Sequence, residues 1–189
     1  MIFLIILVFE ILFLYFLSRK VTSKIFYLVR NKYLFAVLFL PGTFIHEISH
    51  FLFALFLLVP VGTPEFLPVQ IEGGIKMGSV PIGKTDPIRR TLIGIAPIIF
   101  GLIILFLSIY YVHNVFLLGF IVFEVGNTMF SSKKDLEGVI PVIVTLIIFI
   151  IVFYFLGLRI NLIVNEELFK KADLFLLVPI GIDLVFTIF

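Results

Sequence analysis

The chain of 189 residues contains no cysteine and no tryptophan, and only 14% of its residues are charged. Without cysteine it can form neither disulfide bonds nor thiolate metal sites, and cysteine usage indicates no redox compartment. Ordinary soluble domains are about one quarter charged and half apolar. Here 62% of the residues are hydrophobic and the mean hydropathy is +1.29, which excludes a water-soluble fold. A formal charge of +2, carried by scattered basic residues, argues against nucleic-acid binding.

The apolar residues are gathered in runs that approach the 20 or so residues a helix needs to cross a bilayer. We therefore expect a single integral-membrane domain over residues 1–189, α in class, with about six transmembrane helices and a multi-pass location in the cell membrane. The first run lacks a basic leading region and a small-residue cleavage site, so we expect it to be retained. Lys and Arg are almost evenly divided between the two sides, which leaves the orientation open. The expected spans are residues 1–17, 33–59, 91–112, 115–126, 139–158 and 174–189.

Residues 60–90 hold five of the nine prolines and do not have a helical pattern. Residues 69–77 predict a small membrane-associated β-hairpin between the second and third spans. A three-residue turn over 72–74 would pair Ile71 with Ile75 and separate apolar from polar side chains. Glycine supplies the left-handed residue that such turns need.

The sequence His46-Glu47-Ile48-Ser49-His50 lies inside the second expected span and contains two of the three histidines. On a helix the two histidines stand about 40° apart and one turn above each other, so both imidazoles can reach one metal ion. Glu47 lies about 60° from His50, where a carboxylate can take a proton from water that the metal activates. The alternative is that the two histidines are polar side chains that cap a helix or line a helix bundle. Polar groups at membrane depth are costly, which favours a function for them.

Nitrogen and oxygen ligands without a redox motif favour a single Zn²⁺ ion. A catalytic zinc usually has three protein ligands, so two histidines leave the site incomplete. Glu124 lies in an apolar run and is either a partner that orients a ligating imidazole or an acid at a helix end near headgroups. The acids near membrane depth are Glu10, Glu124, Asp135, Glu137 and Asp183.

The His-Glu-x-x-His sequence and the later segment 127–138 together resemble the site-2 protease family (the M50 group), intramembrane zinc metalloproteases, in its archaeal-type six-span form. That family follows its His-Glu-x-x-His helix with Asn-x-x-Pro-x-Pro-x-Leu-Asp-Gly, and here Asn127 stands eight residues before Asp135 in the same way. Phe130 and Ser132 occupy the two proline positions. The order of elements is also similar, and Gly94-Ile95-Ala96-Pro97 opens the third span much as the family's Gly-Pro segment does.

The resemblance implies that Asp135 is the third zinc ligand, with Glu137 and Glu124 as rivals. It implies a metalloendopeptidase, a hydrolase that cleaves a peptide bond in or near a transmembrane segment, with metal-activated water and with Glu47 as general base. Asn127 would offer its amide to the substrate carbonyl or the developing oxyanion, unless it serves only as a helix cap. The expected partners are a transmembrane protein or peptide and the lipid bilayer. The hairpin would hold an unwound substrate by adding it as a strand.

Two other classes of function stay open from the sequence. A membrane metal-binding or transport protein could use the same histidine pair without hydrolysis, although a transporter would usually offer more than one His/Asp cluster along its path. A non-catalytic relative that binds transmembrane helices is favoured by the altered second motif and disfavoured by the intact His-Glu-x-x-His. The substrate and the oligomeric state are not indicated.

Overall fold

A computed structural model describes residues 2–71, 74–130, 132, 135, 144, 148 and 166–188. Within this part of the chain the fold is mainly helical, in agreement with the expected class. The expected fifth span, 139–158, lies almost wholly outside the described residues. The helices are α1 (Ile2–Val29), α2 (Lys32–Leu38), α3 (Leu40–Phe56), α4 (Pro87–Tyr111), α5 (Val115–Thr128) and α6 (Glu166–Ile188).

Among the described residues, only α4 is by itself long and apolar enough to cross a membrane. Helices α2 and α3 meet the same criterion when they are taken together as one span bent by 66°. Large apolar side chains such as Phe56 and Phe116 are largely exposed on the helices, as they would be against lipid. These features support membrane association, and the arrangement with six crossings stays a prediction.

The helix boundaries differ from the expected spans at several places, and α6 begins at Glu166 rather than at residue 174. Helix α1 continues beyond residue 17 to Val29 because residues 18–29 contain neither proline nor glycine to stop it. The second span is broken at Phe39, where α2 ends and α3 begins. Pro41 explains the break, since its ring has no N–H and collides with the carbonyl four residues earlier in a continuous helix.

Asparagine or aspartate side chains cap the N-termini of three of the described helices. The Asn31 side chain accepts hydrogen bonds from the backbone of Tyr33 and Leu34 at the start of α2. Asn114 does the same for α5, and Asp86 accepts the Arg89 N–H at the start of α4. Such caps satisfy amides that lack a partner within the first helical turn.

Helix α5 is the central element, because it contacts α1, α3, α4 and α6. Helices α1 and α6 pack along each other on one side of α5, and α3 packs on α4 on the other. The C-terminal half of α5 is largely buried, since Val122 and residues 124–127 are buried. The main buried apolar cluster contains Leu14, Leu17, Leu105, Val122, Val125, Met129, Leu176 and Ile180.

The connection from α3 to α4 forms a two-armed strap, which we define as residues 60–83. At its tip β1 (Val69–Ile71) and β2 (Gly74–Lys76) pair antiparallel, with Ile71 opposite Gly74. The expected turn over 72–74 and the pairing of Ile71 with Ile75 are therefore wrong. The connection has two residues rather than three, and two-residue turns are the ones whose twist best fits antiparallel strands.

The two arms of the strap are tied together below its tip. Glu65 and Ser79 exchange both backbone hydrogen bonds, each 2.8 Å long. The Glu65 carboxylate also accepts a hydrogen bond from the Lys76 ammonium at 2.9 Å and from the Ser79 hydroxyl at 3.0 Å. These bonds hold the pKa of Glu65 below its usual value, so its carboxyl group is ionised at neutral pH.

Candidate metal centre

Three side chains from two distant parts of the sequence converge at one point: His46 and His50 of α3, and Asp135. Nε2 of His46 lies 3.2 Å from Nε2 of His50. The Asp135 carboxylate lies 3.5 Å from His50 Nε2 through one oxygen and 3.8 Å from His46 Nε2 through the other. One ligand atom from each residue can be chosen so that all lie within 4.8 Å of one another. This group could hold a metal ion.

The spacing of these atoms fits a tetrahedral ion with nitrogen and oxygen ligands. Zinc binds imidazole nitrogen at about 2.0–2.1 Å and carboxylate oxygen at about 2.0–2.2 Å, which places neighbouring ligands about 3.3–3.5 Å apart. The two imidazole nitrogens lie 3.2 Å apart, close to that value, and each lies 3.5–3.8 Å from a different carboxylate oxygen of Asp135. The donor set suits zinc in chemistry, and the histidine pair suits it in spacing.

On each imidazole, the hydrogen bond that Nδ1 makes determines which ring nitrogen carries the proton. Nδ1 of His46 lies 2.7 Å from the carbonyl oxygen of Thr128, and Nδ1 of His50 lies 2.7 Å from that of Ile93. A carbonyl only accepts hydrogen bonds, so each Nδ1 carries a proton and each Nε2 of the neutral ring presents a lone pair. Two lone pairs at 3.2 Å repel each other unless a cation or a proton lies between them. This orientation is typical of ligating histidines.

Asp135 is held in place by its own segment and by α4. Its Oδ2 accepts the Ser132 N–H at 2.7 Å, and its own N–H donates to the Ser132 hydroxyl at 3.3 Å. A Cβ on Gly94 of α4 would collide with the backbone carbonyl of Asp135. The residue next to this glycine is Ile93, whose carbonyl orients His50. The α4 backbone thus contacts two of the three ligands or their segments.

Glu47 lies on α3 between the two histidines and is partly exposed. The strap passes close to it, because a Cβ on Gly78 would come within 2.8 Å of Glu47 Cγ and 3.3 Å of Thr43 Cγ2. Only a residue without a side chain lets the strap approach α3 this closely. The Glu47 carboxylate is therefore covered by the strap on one side and open to the site on another.

Two cavities reach the site from different sides. The larger, of ≈ 540 Å³, lies under the strap and is lined by the three ligands together with Gly78, Val80 and other residues of the strap. The smaller, of ≈ 320 Å³, is lined by Thr43, Asn127 and residues of α1. His46 and Glu47 line both cavities. The candidate metal site is thus accessible from both cavities, and Glu47 lines each of them.

Asn127 lines the smaller cavity but its amide is engaged elsewhere. Its Nδ2 donates to the carbonyl oxygen of Phe123 and to Oδ1 of Asp183, both at 2.9 Å. Both amide hydrogens are used by these bonds, so in this arrangement the side chain presents no N–H to a substrate. No sequence signal indicates this pairing, because Asp183 lies 56 residues away along the chain, on α6.

Of the other acids that the sequence suggested, those within the described residues do not belong to the group of His46, His50 and Asp135. Glu124 is buried, and its Oε2 accepts the Gly42 N–H at 3.0 Å instead of orienting an imidazole. Asp183 contacts Asn127, and Glu10 interacts electrostatically with Asp173 of α6. Glu137 lies outside the described residues. Among the described residues, Asp135 is the acid that completes the group.

Searches of protein-family models, curated proteins and solved structures find no match for this chain. The likeness to the site-2 protease family stays an expectation from the residues quoted above.

Proposed function

We propose that the chain is a membrane-embedded, zinc-dependent endopeptidase similar to the site-2 protease family, with six crossings and with a transmembrane protein or peptide as substrate. One observation carries the proposal. The lone-pair nitrogens of His46 and His50 and the carboxylate of Asp135 surround one point, with both Nδ1 atoms bonded to carbonyls. Glu47, the acid of the His-Glu-x-x-His sequence, lines the same cavity.

His46, His50 and Asp135 would hold the zinc ion, which supplies Lewis acidity to a water molecule and to the scissile carbonyl. Glu47 takes a proton from the water as the water oxygen bonds to the carbonyl carbon. The carbon–nitrogen bond then breaks, and Glu47 returns the proton to the departing amine. The products are a carboxylate and an amine, and no covalent bond to the protein is formed.

The two cavities offer separate access for substrate and water. A volume of ≈ 540 Å³ is within the usual range for a site that binds a small ligand or a short peptide segment. The smaller cavity is lined partly by polar side chains of α1, among them Ser18 and Thr22, and would admit water. Asn127 would serve the substrate only if its amide rotated away from Asp183.

The strap supplies an edge to which an unwound substrate could add as a strand. Both backbone groups of Ser79 are bonded to Glu65. Because these groups alternate in direction along a strand, those of Gly78 and Val80 point to the opposite edge. Both residues line the cavity that contains the three ligands. Strand addition would expose the scissile bond and would leave side-chain identity loosely specified.

Metal transport finds less support from the described residues. They contain one group of three ligating side chains, whereas a transport path is expected to offer several. A metal-binding protein without hydrolytic activity would have no use for Glu47 beside the histidines. Substitution of Glu47 therefore separates hydrolysis from both alternatives.

The experiment compares the wild-type protein with Glu47→Gln, each purified with its metal and offered a synthetic transmembrane peptide. We expect Glu47→Gln to keep one zinc per chain, because it is not a ligand, and to lose cleavage by about 10²- to 10⁴-fold, the usual contribution of a general base. Glu167→Gln, the same substitution at an exposed position of α6, is the matched control and should cleave normally. Equal cleavage by Glu47→Gln and the wild type would refute the proposal.

A further inference from the structure

Two hydrogen bonds fasten helix α3 to helix α5 in a fixed register. The Gly42 N–H donates to Oε2 of Glu124 at 3.0 Å. One helical turn later, Nδ1 of His46 donates to the carbonyl oxygen of Thr128 at 2.7 Å. Donor and acceptor are 82 residues apart in both bonds. The two donors are four residues apart on α3, and the two acceptors are four residues apart on α5, so both bonds belong to the same register of the two helices.

The first of these bonds satisfies the start of a helix that begins inside the protein. Helix α3 starts after the break at Phe39, and the amide of Gly42 lies in its first turn, where the helix itself supplies no acceptor. Away from water such an amide needs a partner. Glu124 of α5 is 1% exposed, and its carboxylate provides that partner.

Gly42 allows the two helices to approach closely enough for both bonds. A Cβ at this position would lie 2.7 Å from the carbonyl oxygen of Glu124 and would collide with the Thr128 hydroxyl. That hydroxyl donates to the same Glu124 carbonyl at 2.7 Å. The turn of α5 that orients His46 is thus in contact with the turn of α3 that Glu124 caps.

We propose that Glu124 is a positioning residue for the metal centre: by capping α3 at Gly42 it holds α3 and α5 in the register at which the Thr128 carbonyl orients His46. The inference rests on the metal site proposed above and adds a residue that does not touch the ion. Glu124 acts through the helix backbone and needs only an acceptor oxygen for this task.

The experiment measures metal affinity in the metal-stripped full chain, by titration with Co²⁺ followed in the visible spectrum and by competition with Zn²⁺. Loss of a group that orients a ligand typically lowers metal affinity about 10- to 100-fold, so we expect Glu124→Leu to bind at least about 10-fold more weakly and to alter the Co²⁺ absorption bands. Glu124→Gln keeps an acceptor oxygen and should restore both readouts. Glu10→Leu, which removes an acid of α1 remote from α3, should match the wild type.

Wild-type affinity and spectrum in Glu124→Leu would overturn the inference, and so would a Glu124→Gln variant as impaired as Glu124→Leu. If Glu124→Leu does not fold, Gly42→Ala decides the question, because its methyl group pushes α5 away while Glu124 stays intact. Weakened binding by Gly42→Ala supports the inference and unchanged binding overturns it. A wild-type protein that binds no metal would instead overturn the proposed function, and the inference with it.

Discussion

Gly94 is the residue at which the α4 backbone meets the segment that carries Asp135. A Cβ there would lie 2.9 Å from the carbonyl carbon of Asp135 and still closer to its oxygen. Gly94→Ala should therefore displace Asp135, which is one of the three proposed ligands. We expect zinc affinity to fall by about 10- to 100-fold, as for other changes around a metal ligand, measured by competition with a chromophoric chelator.

Gly181→Ala is the matched control for that substitution. Gly181 also lies within a helix, α6, and a Cβ there meets nothing within 4 Å. Alanine is favoured over glycine in a helix by about 1 kcal/mol, so this variant should bind zinc normally and be no less stable. Normal zinc binding by Gly94→Ala as well would show that the Asp135 segment is not held by α4.

The three residues of the candidate metal group could be predicted from the sequence, but the groups that orient them could not. His46 and His50 are one turn apart on a helix, which the spacing alone establishes, and Asp135 was named from the resemblance. Their partners are the backbone carbonyls of Thr128 and Ile93. Every residue has a carbonyl, so no residue type marks these positions.

At the scale of elements, the strap is the proposed binding place for an unwound substrate. Val80→Pro removes the N–H that Val80 presents on the edge away from Glu65, and proline at this position keeps the extended backbone that precedes Pro81. One lost hydrogen bond is worth about 0.5–1.5 kcal/mol, so cleavage of a transmembrane peptide should fall by up to about 10-fold with zinc retained. Kinetic assays of the metal-loaded protein measure this.

Val80→Ala keeps the backbone N–H and removes most of the side chain, so it separates the two contributions. Strand addition predicts that Val80→Ala cleaves faster than Val80→Pro. Cleavage by Val80→Pro at the wild-type rate would exclude strand addition at this edge.

The helices were easier to predict than their ends or the pairing within the strap. Apolar runs indicated α1, α3, α4, α5 and α6, because apolar composition alone marks such segments. The expected end of α1 at residue 17 was wrong, because the basic residues after that position do not themselves stop a helix. The register of the strap was wrong because apolar alternation over so short a hairpin competes with the preference for a two-residue turn.

At the scale of the whole molecule, the central position of α5 explains how a polar site can exist in so apolar a chain. Helix α5 has 14 residues, about 21 Å at 1.5 Å per residue, which is shorter than the roughly 30 Å hydrocarbon layer. Its neighbours α1, α3, α4 and α6 surround it. A helix of this length that enters the hydrocarbon layer at its start near Asn114 would therefore end, at Thr128, within the layer.

The composition predicted a helical membrane protein. The described residues agree with the helical class, and one helix among them, α4, is by itself long and apolar enough to cross a membrane. The sequence could not predict that α2 and α3 are two helices bent by 66°, since a proline in an apolar run permits either a kink or a break. The same break creates the helix start that Glu124 caps. A departure from a regular span is thus located shortly before His46, the first histidine of the candidate metal group.

The central claim is that His46, His50 and Asp135 hold one zinc ion in common. The most direct test is the zinc content per chain of the purified protein and of Asp135→Ala, by elemental analysis after dialysis against a weak chelator. We predict one zinc per chain in the wild type and almost none in Asp135→Ala, because the two histidines alone leave the ion open to competition. A wild-type protein without zinc, or an Asp135→Ala variant that retains it, would contradict the account.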